Sequence, residues 1–299
     1  MPVEYNEFKL QFKKDPAKKE SAAKQAAAET ETFIIKPENL CQGKGIYLVK
    51  DPTEVEHTDS CVAQKYITNP FLMDDLKFDL RLYVLLMGVN PLRIFLFKDG
   101  LVRLATEPYV KPTDDNIGNL FMHLTNYAIN KKNNIFQQNA AGDSDEDLND
   151  DGTHKRSLKS LIYTLKCMGK PYRKLKEGID DLLVKTLIVA QPSLSHIYKS
   201  CQPDDLENQL CFQILGIDVM IDEDCKPWLI EVNQSPSFKA DSGLDKRIKE
   251  RLVTDTVRLL NLSTKRKQKW IAQSKKIIQQ RMMTGKKVKL TPEEREEKI

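Results

Sequence analysis

Apolar and polar positions alternate in short blocks along the first half of this chain, and shift to helical spacing in much of the second. Thr32–Val49 gives a strand, a glycine loop and another strand, and Ser60–Ile67 gives a further strand. Leu76–Val89 alternates at its start and then becomes continuously apolar. Leu92–Lys98 and Leu101–Thr106 are expected to form a hairpin that turns at Asp99-Gly100. Leu158–Cys167 and Ile179–Ser200 carry helical periodicity, with Leu182, Leu183, Thr186, Leu187 and Ala190 on one face. A helix over Gly243–Leu260 is expected after an Asp241-Ser242 cap. The pattern predicts an α+β fold with largely antiparallel sheets and flanking helices.

One stretch carries more chemistry than the rest. Phe212–Ile221 and Trp228–Val232 flank a polar turn, Asp222–Pro227, and read as a hairpin. A turn centred between Asp224 and Cys225 places Asp218 opposite Glu231, and opposed residues of an antiparallel pair share a face. Asn233 lies two positions on from Glu231 and shares that face too. Two carboxylates and an amide thus converge among Ile217, Val219, Ile230 and Val232. With nothing positive between them, such carboxylates are costly to bury, and a hard cation such as Mg2+ would relieve the cost. The competing interpretation is a hairpin whose polar face is simply wet.

Composition narrows the class. The chain has 299 residues, 40% hydrophobic and 30% charged, enough for one or two domains. No apolar run approaches the roughly 20 residues of a membrane span, and the first residues lack the apolar core of a signal peptide. The six cysteines show no CxxC pair, so reduced thiols in a cytosolic protein are expected rather than zinc. Residues 1–31 read as a mobile or helical lead-in, and 138–157 as an acidic, structureless insertion. From Ser263 to Lys289 there are ten Lys/Arg and no Asp/Glu, interrupted by apolar residues such as Trp270, Ile271, Ile277 and Ile278. That segment predicts a basic helix for an acidic surface; a solvated tail is the plain alternative.

Four further clusters accompany the hairpin. Lys36 with Gln42-Gly43-Lys44-Gly45 suits phosphate oxygens, although a GKG run also makes an ordinary turn. Gln64-Lys65-Tyr66-Ile67 ends a strand and either edges a purine slot or is a plain sheet strand. Lys77, Asp79 and Arg81 share one strand face, with Arg103 on the next hairpin. They form either an exposed ion-pair row or a clamp for phosphate and carboxylate. The apolar continuation Leu82–Val89 favours a cleft over an open surface. His123–Lys131 gathers many hydrogen-bonding side chains, although His123 by itself reads as a satisfied structural histidine. Cations, a glycine loop, a purine slot and a magnesium trio together describe an ATP site without a Walker loop.

KPENLCQGKGIYLV, QKYITNP, KFDLRLYVLL, PLRIFLFKDGLVRLAT, MHLTNYAINK and GIDVMIDEDCKPWLIEVNQSPSF, six ordered motifs, closely resemble the tubulin–tyrosine-ligase-like family. These are amino-acid ligases of the ATP-grasp class, and the resemblance runs from about Thr32 to Leu260. The polyglutamylase branch is the most similar. The resemblance implies an ATP-grasp-like fold divided into a lead-in (1–31), a central nucleotide-binding part (32–110), a C-terminal part (111–262) and a basic helical extension (263–299). It implies that Lys36, Gln42, Gly43, Gln64, Lys65, Tyr66, Ile67, Lys77, Asp79, Thr125 and Asn126 bind ATP. Asp218, Glu231 and Asn233 would hold Mg2+, two ions being expected. Arg103, Tyr127 and Lys131 would hold the incoming glutamate, while Gln42, Lys239, Lys246 and Arg247 would face the acceptor. Lys77, Arg81 and Glu231 would be the catalytic residues.

The implied reaction joins glutamate to side-chain carboxylates of glutamates in tubulin tails, through an acylphosphate. The expected setting is the cytoplasm and cytoskeleton, with cilium and basal body, for a monomer that engages microtubules but neither nucleic acid nor membrane. Glycine or tyrosine as donor, and a non-catalytic microtubule-binding relative, are the alternatives. Catalytically complete members of the family have a further N-terminal lobe, which about thirty lysine-rich residues are too few to build. A portion of the family's fold is therefore expected.

Overall fold

The computed structural model describes residues 3–12, 31–40, 42–55, 60–138, 152–203, 205 and 210–285. In chain order these form α1 (Val3–Phe12), β1 (Phe33–Pro37), β2 (Tyr47–Val49), β3 (Cys61–Lys65), β4 (Leu72–Met73), β5 (Leu76–Val89) and β6 (Leu92–Leu104). There follow α2 (Leu120–His123), α3 (Tyr127–Asn130), β7 (Lys155–Ser157), α4 (Leu158–Cys167) and α5 (Tyr172–Cys201). The last elements are β8 (Gln213–Ile221), β9 (Pro227–Asn233), α6 (Gly243–Leu260) and α7 (Thr264–Thr284). A three-stranded sheet, β2-β1-β3, faces a six-stranded one ordered β7-β6-β5-β8-β9, in which β4 also pairs with β5. Every strand pairing is antiparallel.

The period of two sorts the large sheet into two faces. Leu80, Leu82 and Val84 of β5, Val102 and Leu104 of β6, and Ile217, Val219 and Ile221 of β8 point one way. They pack on Leu161 and Leu165 of α4 and on Leu175, Ile179, Leu183 and Leu187 of α5, which make the main core. On the opposite face Tyr83, Phe97 and Leu101 meet Leu244, Ile248 and Leu252 of α6. Beyond α6, that second face carries Lys77, Asp79, Arg81, Arg103 and Asp218, beneath the small sheet.

Two predicted elements come out differently. Asp99-Gly100 is no turn: β6 runs straight through it, and the chain reverses instead at the cis Asn90-Pro91 peptide. Fourteen residues of mostly buried β5 need a partner of matching length, and a turn at Asp99 would leave part of their backbone unpaired. Gly100 serves a close approach, because a Cβ there would lie 2.7 Å from the Arg81 carbonyl oxygen. The pairing of β5 and β6 shifts register just beyond it, between Leu82 and Val84.

The insertion at 138–157 is the other difference. Residues 139–151 lie outside the described residues, but Lys155–Ser157 is no loop. It is β7, paired with β6 and fully buried. Of the lead-in, α1 is helical, and the lysine- and alanine-rich residues 13–30 lie outside the described residues.

The hairpin's register is as expected, by a different route. Ile221 opposite Pro227, Met220 opposite Trp228 and Val219 opposite Leu229 all centre the turn on Asp224. A bulge at Ile230 then shifts the register by one, so that Asp218 faces Glu231. Without the extra residue, Glu231 would point to the opposite face. Ile217 is fully buried beside this point, so Ile217→Ala should destabilise the chain by about 2–5 kcal/mol, read from the urea unfolding midpoint.

Candidate active site

Between the two sheets lies an open cleft. Its roof is Ile34, Lys36 and Ile46, with Gln64, Lys65, Tyr66 and Ile67 at one end. Its floor is Lys77, Asp79, Asp218, Met220, Ile230 and Glu231, and Leu124, Thr125 and Asn126 close a side. An apolar lining with a few convergent charges suits a small-molecule substrate. Eleven of the sequence-predicted residues therefore line one space: Lys36, Gln64, Lys65, Tyr66, Ile67, Lys77, Asp79, Thr125, Asn126, Asp218 and Glu231.

The floor is held by a chain of charges. Arg103 donates from Nε to Asp79 Oδ1 at 2.7 Å and from Nη2 to Asp218 Oδ2 at 2.6 Å. Arg81 donates from Nη2 to the same Asp218 oxygen at 3.1 Å and from Nε to Oδ1. Burial would raise the Asp218 carboxyl, yet Arg103 and Arg81 override it and hold the pKa below the ordinary value. Asp79 is pushed up by its burial, against the pull of Arg103. The premise that the hairpin carboxylates have nothing positive beside them is thus corrected. The signal was present in the alternation of Arg81 and Arg103, but their partner comes from a strand far along the chain.

Glu231 lies against Asp218, and burial followed by that contact raises its carboxyl pKa. Asn233 Nδ2 donates to Glu231 Oε1 at 2.9 Å. Among the described residues no group of three or more His, Cys, Asp or Glu side chains forms a metal cage. Two carboxylates in contact and a neighbouring amide nevertheless supply hard oxygen donors whose mutual repulsion a divalent cation would relieve. The residues fit magnesium. Lys36 across the cleft donates from Nζ to Gln64 Oε1 at 2.7 Å; burial lowers its pKa, opposed by Glu231 and Asp218.

The glycine loop sits over the side wall. Gly43 has φ +80°, and a Cβ there would lie 2.6 Å from Ile129 and 3.0 Å from Asn126. Only glycine lets this backbone lie so close. Gln42, also left-handed at φ +61°, leads into that turn.

Other predicted residues stand apart from the lining. Tyr127 and Lys131 follow Asn126 on and after α3, with Lys131 Nζ 5.4 Å from the Tyr127 ring centre. Lys246 and Lys239 are exposed, while Arg247 on α6 acts on the buried Asp99 carboxyl. Three charged residues escaped the sequence argument: Lys155, Asp245 and Lys249. Lys155 Nζ lies 4.7 Å from the Tyr127 ring centre and pairs with Asp245, which Lys249 meets at 3.1 Å. Asp245 is the third residue after the Ser242 cap, so the cap signalled it; Lys155 was hidden behind the acidic run.

Two antiparallel sheets with flanking helices and a cleft between them make an ATP-grasp-like α+β fold. The tubulin-tyrosine ligase family matches residues 1–269, and the chain belongs to that family. The chain is 47% identical over its full length to a probable beta-tubulin polyglutamylase of Tetrahymena thermophila, of which it covers 24%. It is 40% identical over 94% of its length to tubulin polyglutamylase TTLL13 of Mus musculus, covering 34% of that protein. Against tubulin polyglutamylase TTLL6 of Homo sapiens it is 42% identical over 81% of its length, covering 26%. The chain thus spans about a quarter to a third of these curated relatives.

Arg103→Leu should cost about 3–5 kcal/mol of unfolding free energy, because it leaves two buried aspartates without their shared cation. Arg81→Leu should cost less, since Asp218 keeps Arg103; denaturant titration of both variants measures the difference.

Proposed function

We propose that the chain carries an ATP-dependent ligase activity that adds glutamate to side-chain carboxylates of glutamates in tubulin tails. The observation that carries this reading is the cleft itself: Lys36 hangs from its roof, opposite a floor that brings Lys77 together with Asp218 and Glu231. That is the arrangement a triphosphate and its magnesium need. The names of the relatives, tubulin polyglutamylases, support the substrate.

Carboxylate oxygen is a poor leaving group, so amide formation needs activation. The acceptor's carboxylate oxygen takes the terminal phosphoryl group of ATP, releasing ADP and giving an acylphosphate. The amine of the incoming glutamate then attacks the carbonyl carbon; phosphate leaves and the amine loses a proton. Lys36 and Lys77 neutralise phosphate oxygens, and Gly43 brings backbone N–H groups close to them. Asp218, Glu231 and Asn233 would hold magnesium, as one ion or a pair, which would supply charge screening on the phosphates.

Arg81 and Arg103 pair with Asp218. Their remaining guanidinium donors would serve the transferred group and the donor's carboxylate. Tyr127, Lys131 and the neighbouring Lys155 make a second cationic end for the donor, and Gln42, Lys239, Lys246 and Arg247 stand toward the acceptor. Both parts, 32–110 and 111–262, line the cleft, because the large sheet takes β5 and β6 from the first and β7, β8 and β9 from the second.

Among the described residues no helix is long and apolar enough to cross a membrane. α7 instead presents exposed Lys265, Lys267, Lys275 and Lys276, while Trp270, Ser274 and Ile277 form a half-buried stripe. The basic extension docks on the acidic microtubule surface, and the chain works on the cytoskeleton, cilia included.

Incubating the chain with tubulin, ATP, magnesium and labelled glutamate, glycine or tyrosine tests the reading. Mass spectrometry of the tails should find glutamate; incorporation of glycine or tyrosine alone overturns the donor, and none at all overturns the activity. Glu231→Gln should lower ligation by about a hundredfold or more while microtubule binding persists. Replacing lysines 265, 267, 275 and 276 with glutamate should weaken microtubule co-sedimentation, an effect that shrinks as added salt screens exposed charges.

A further inference from the structure

Lys77 is buried, yet among the described residues no carboxylate accepts a hydrogen bond from it. Its Nζ donates to the Tyr66 hydroxyl at 2.7 Å and to the His123 carbonyl at 2.8 Å, and lies 4.1 Å from the Tyr66 ring centre. The Tyr66 hydroxyl lies 3.2 Å from His123 Nδ1, and His123 Nε2 lies 3.2 Å from the Asn116 carbonyl. Asn116 is itself fixed: its Oδ1 accepts from Thr113 N at 2.7 Å and its Nδ2 donates to the Lys111 carbonyl at 3.0 Å.

These contacts run in one direction. His123 Nε2 faces only oxygen acceptors of Asn116, so that nitrogen carries the ring's proton. Burial lowers the His123 pKa to about 4, so the ring is neutral and Nδ1 is an acceptor. The Tyr66 proton then has His123 Nδ1, at 3.2 Å, as its nearer acceptor and the His123 carbonyl, at 3.4 Å, as the other; either leaves hydroxyl lone pairs for the Lys77 ammonium.

We infer that Tyr66 and His123 are positioning residues for Lys77: together they aim its ammonium into the cleft and keep a neutral acceptor beside it in place of a carboxylate. The inference rests on the nucleotide reading of the cleft. A carboxylate partner would compete with phosphate for the ammonium, whereas a phenol oxygen holds it and leaves its charge for the ligand. Burial lowers the Lys77 pKa to about 7, with Asp79 opposing this and Lys36 adding to it. Tyr66 and Tyr109, the other ionisable groups alongside, have pKa values pushed up by burial and stay neutral. Phosphate binds the ammonium form, so nucleotide affinity should fall as pH rises past about 7.

Titrating the 299-residue chain with a fluorescent ATP analogue and magnesium from pH 6 to 9 tests the inference directly. Tyr66→Phe keeps the ring and removes only the hydroxyl. It should bind about tenfold more weakly at pH 7, the factor set by one hydrogen bond to a charged group, and its fall with pH should begin lower. His123→Leu should behave alike, and His123→Asn, which restores an acceptor near Nδ1, should recover most of the affinity and the pH midpoint. Tyr66→Phe differs by one atom and carries the test even where a His123 variant does not fold. Wild-type affinity and midpoint in Tyr66→Phe overturn the inference and leave the nucleotide reading standing. Equal weakness of both His123 variants, with unshifted midpoints, also overturns it. No binding by the unmodified chain at any pH removes the nucleotide reading, and the inference with it.

Discussion

Asp218 sits on the middle of a buried charge chain, Asp79–Arg103–Asp218–Arg81, and the cleft is built around that chain. Two aspartates and two arginines share one sheet face at the junction of β6, β5 and β8. None of these charges is stable there alone, because removing one leaves an uncompensated charge out of water. The strands must therefore keep this register, and the apolar face behind them, packed on α4 and α5, keeps it rigid. The same carboxylate that anchors the arginines also lines the cleft, so folding and the shape of the site draw on the same groups.

The rest of the cleft follows a division of labour between the sheets. The large sheet supplies the buried charges, and the small sheet supplies Lys36, Gln64 and the wall above. Lys77 belongs to the first yet is held by the Tyr66 hydroxyl, just past the end of β3, and by the backbone carbonyl of His123 in α2. Its low pKa has burial as its leading cause, while for Arg103 burial is outweighed by Asp79 and Asp218, which raise its pKa. One cation is thus poised and another locked, within a few residues of each other on neighbouring strands.

Much of this was legible in the residues. Alternation in Leu76–Val89 put Lys77, Asp79 and Arg81 on one face, and the folded strand has those bounds. The helix Gly243–Leu260 follows its serine cap as expected. Asp99-Gly100 misled because the dipeptide is a turn signal only when its flanks are free to part. Here the length of β5 holds both flanks in one ladder, and glycine answers a close approach. The bulge at Ile230 left no mark in the hydrophobic pattern, so the right pairing of Asp218 with Glu231 came from a turn centre half a residue away from the observed one.

Local order decided which side chains share a face, because strand and helix periods are properties of neighbouring residues. Those periods gave the elements, the polar edge of the hairpin and the basic face near the end of the chain. Which charges meet was a different matter. Arg81 and Asp218 are 137 positions apart, and Lys77 and His123 are 46 apart. Contacts of that span depend on which strands become neighbours, and burial then sets whether a group keeps its charge. The pairing of arginines with Asp218, the tyrosine–histidine hold on Lys77 and the placement of Lys155 beside Tyr127 all arise there, from packing that no stretch of sequence contains.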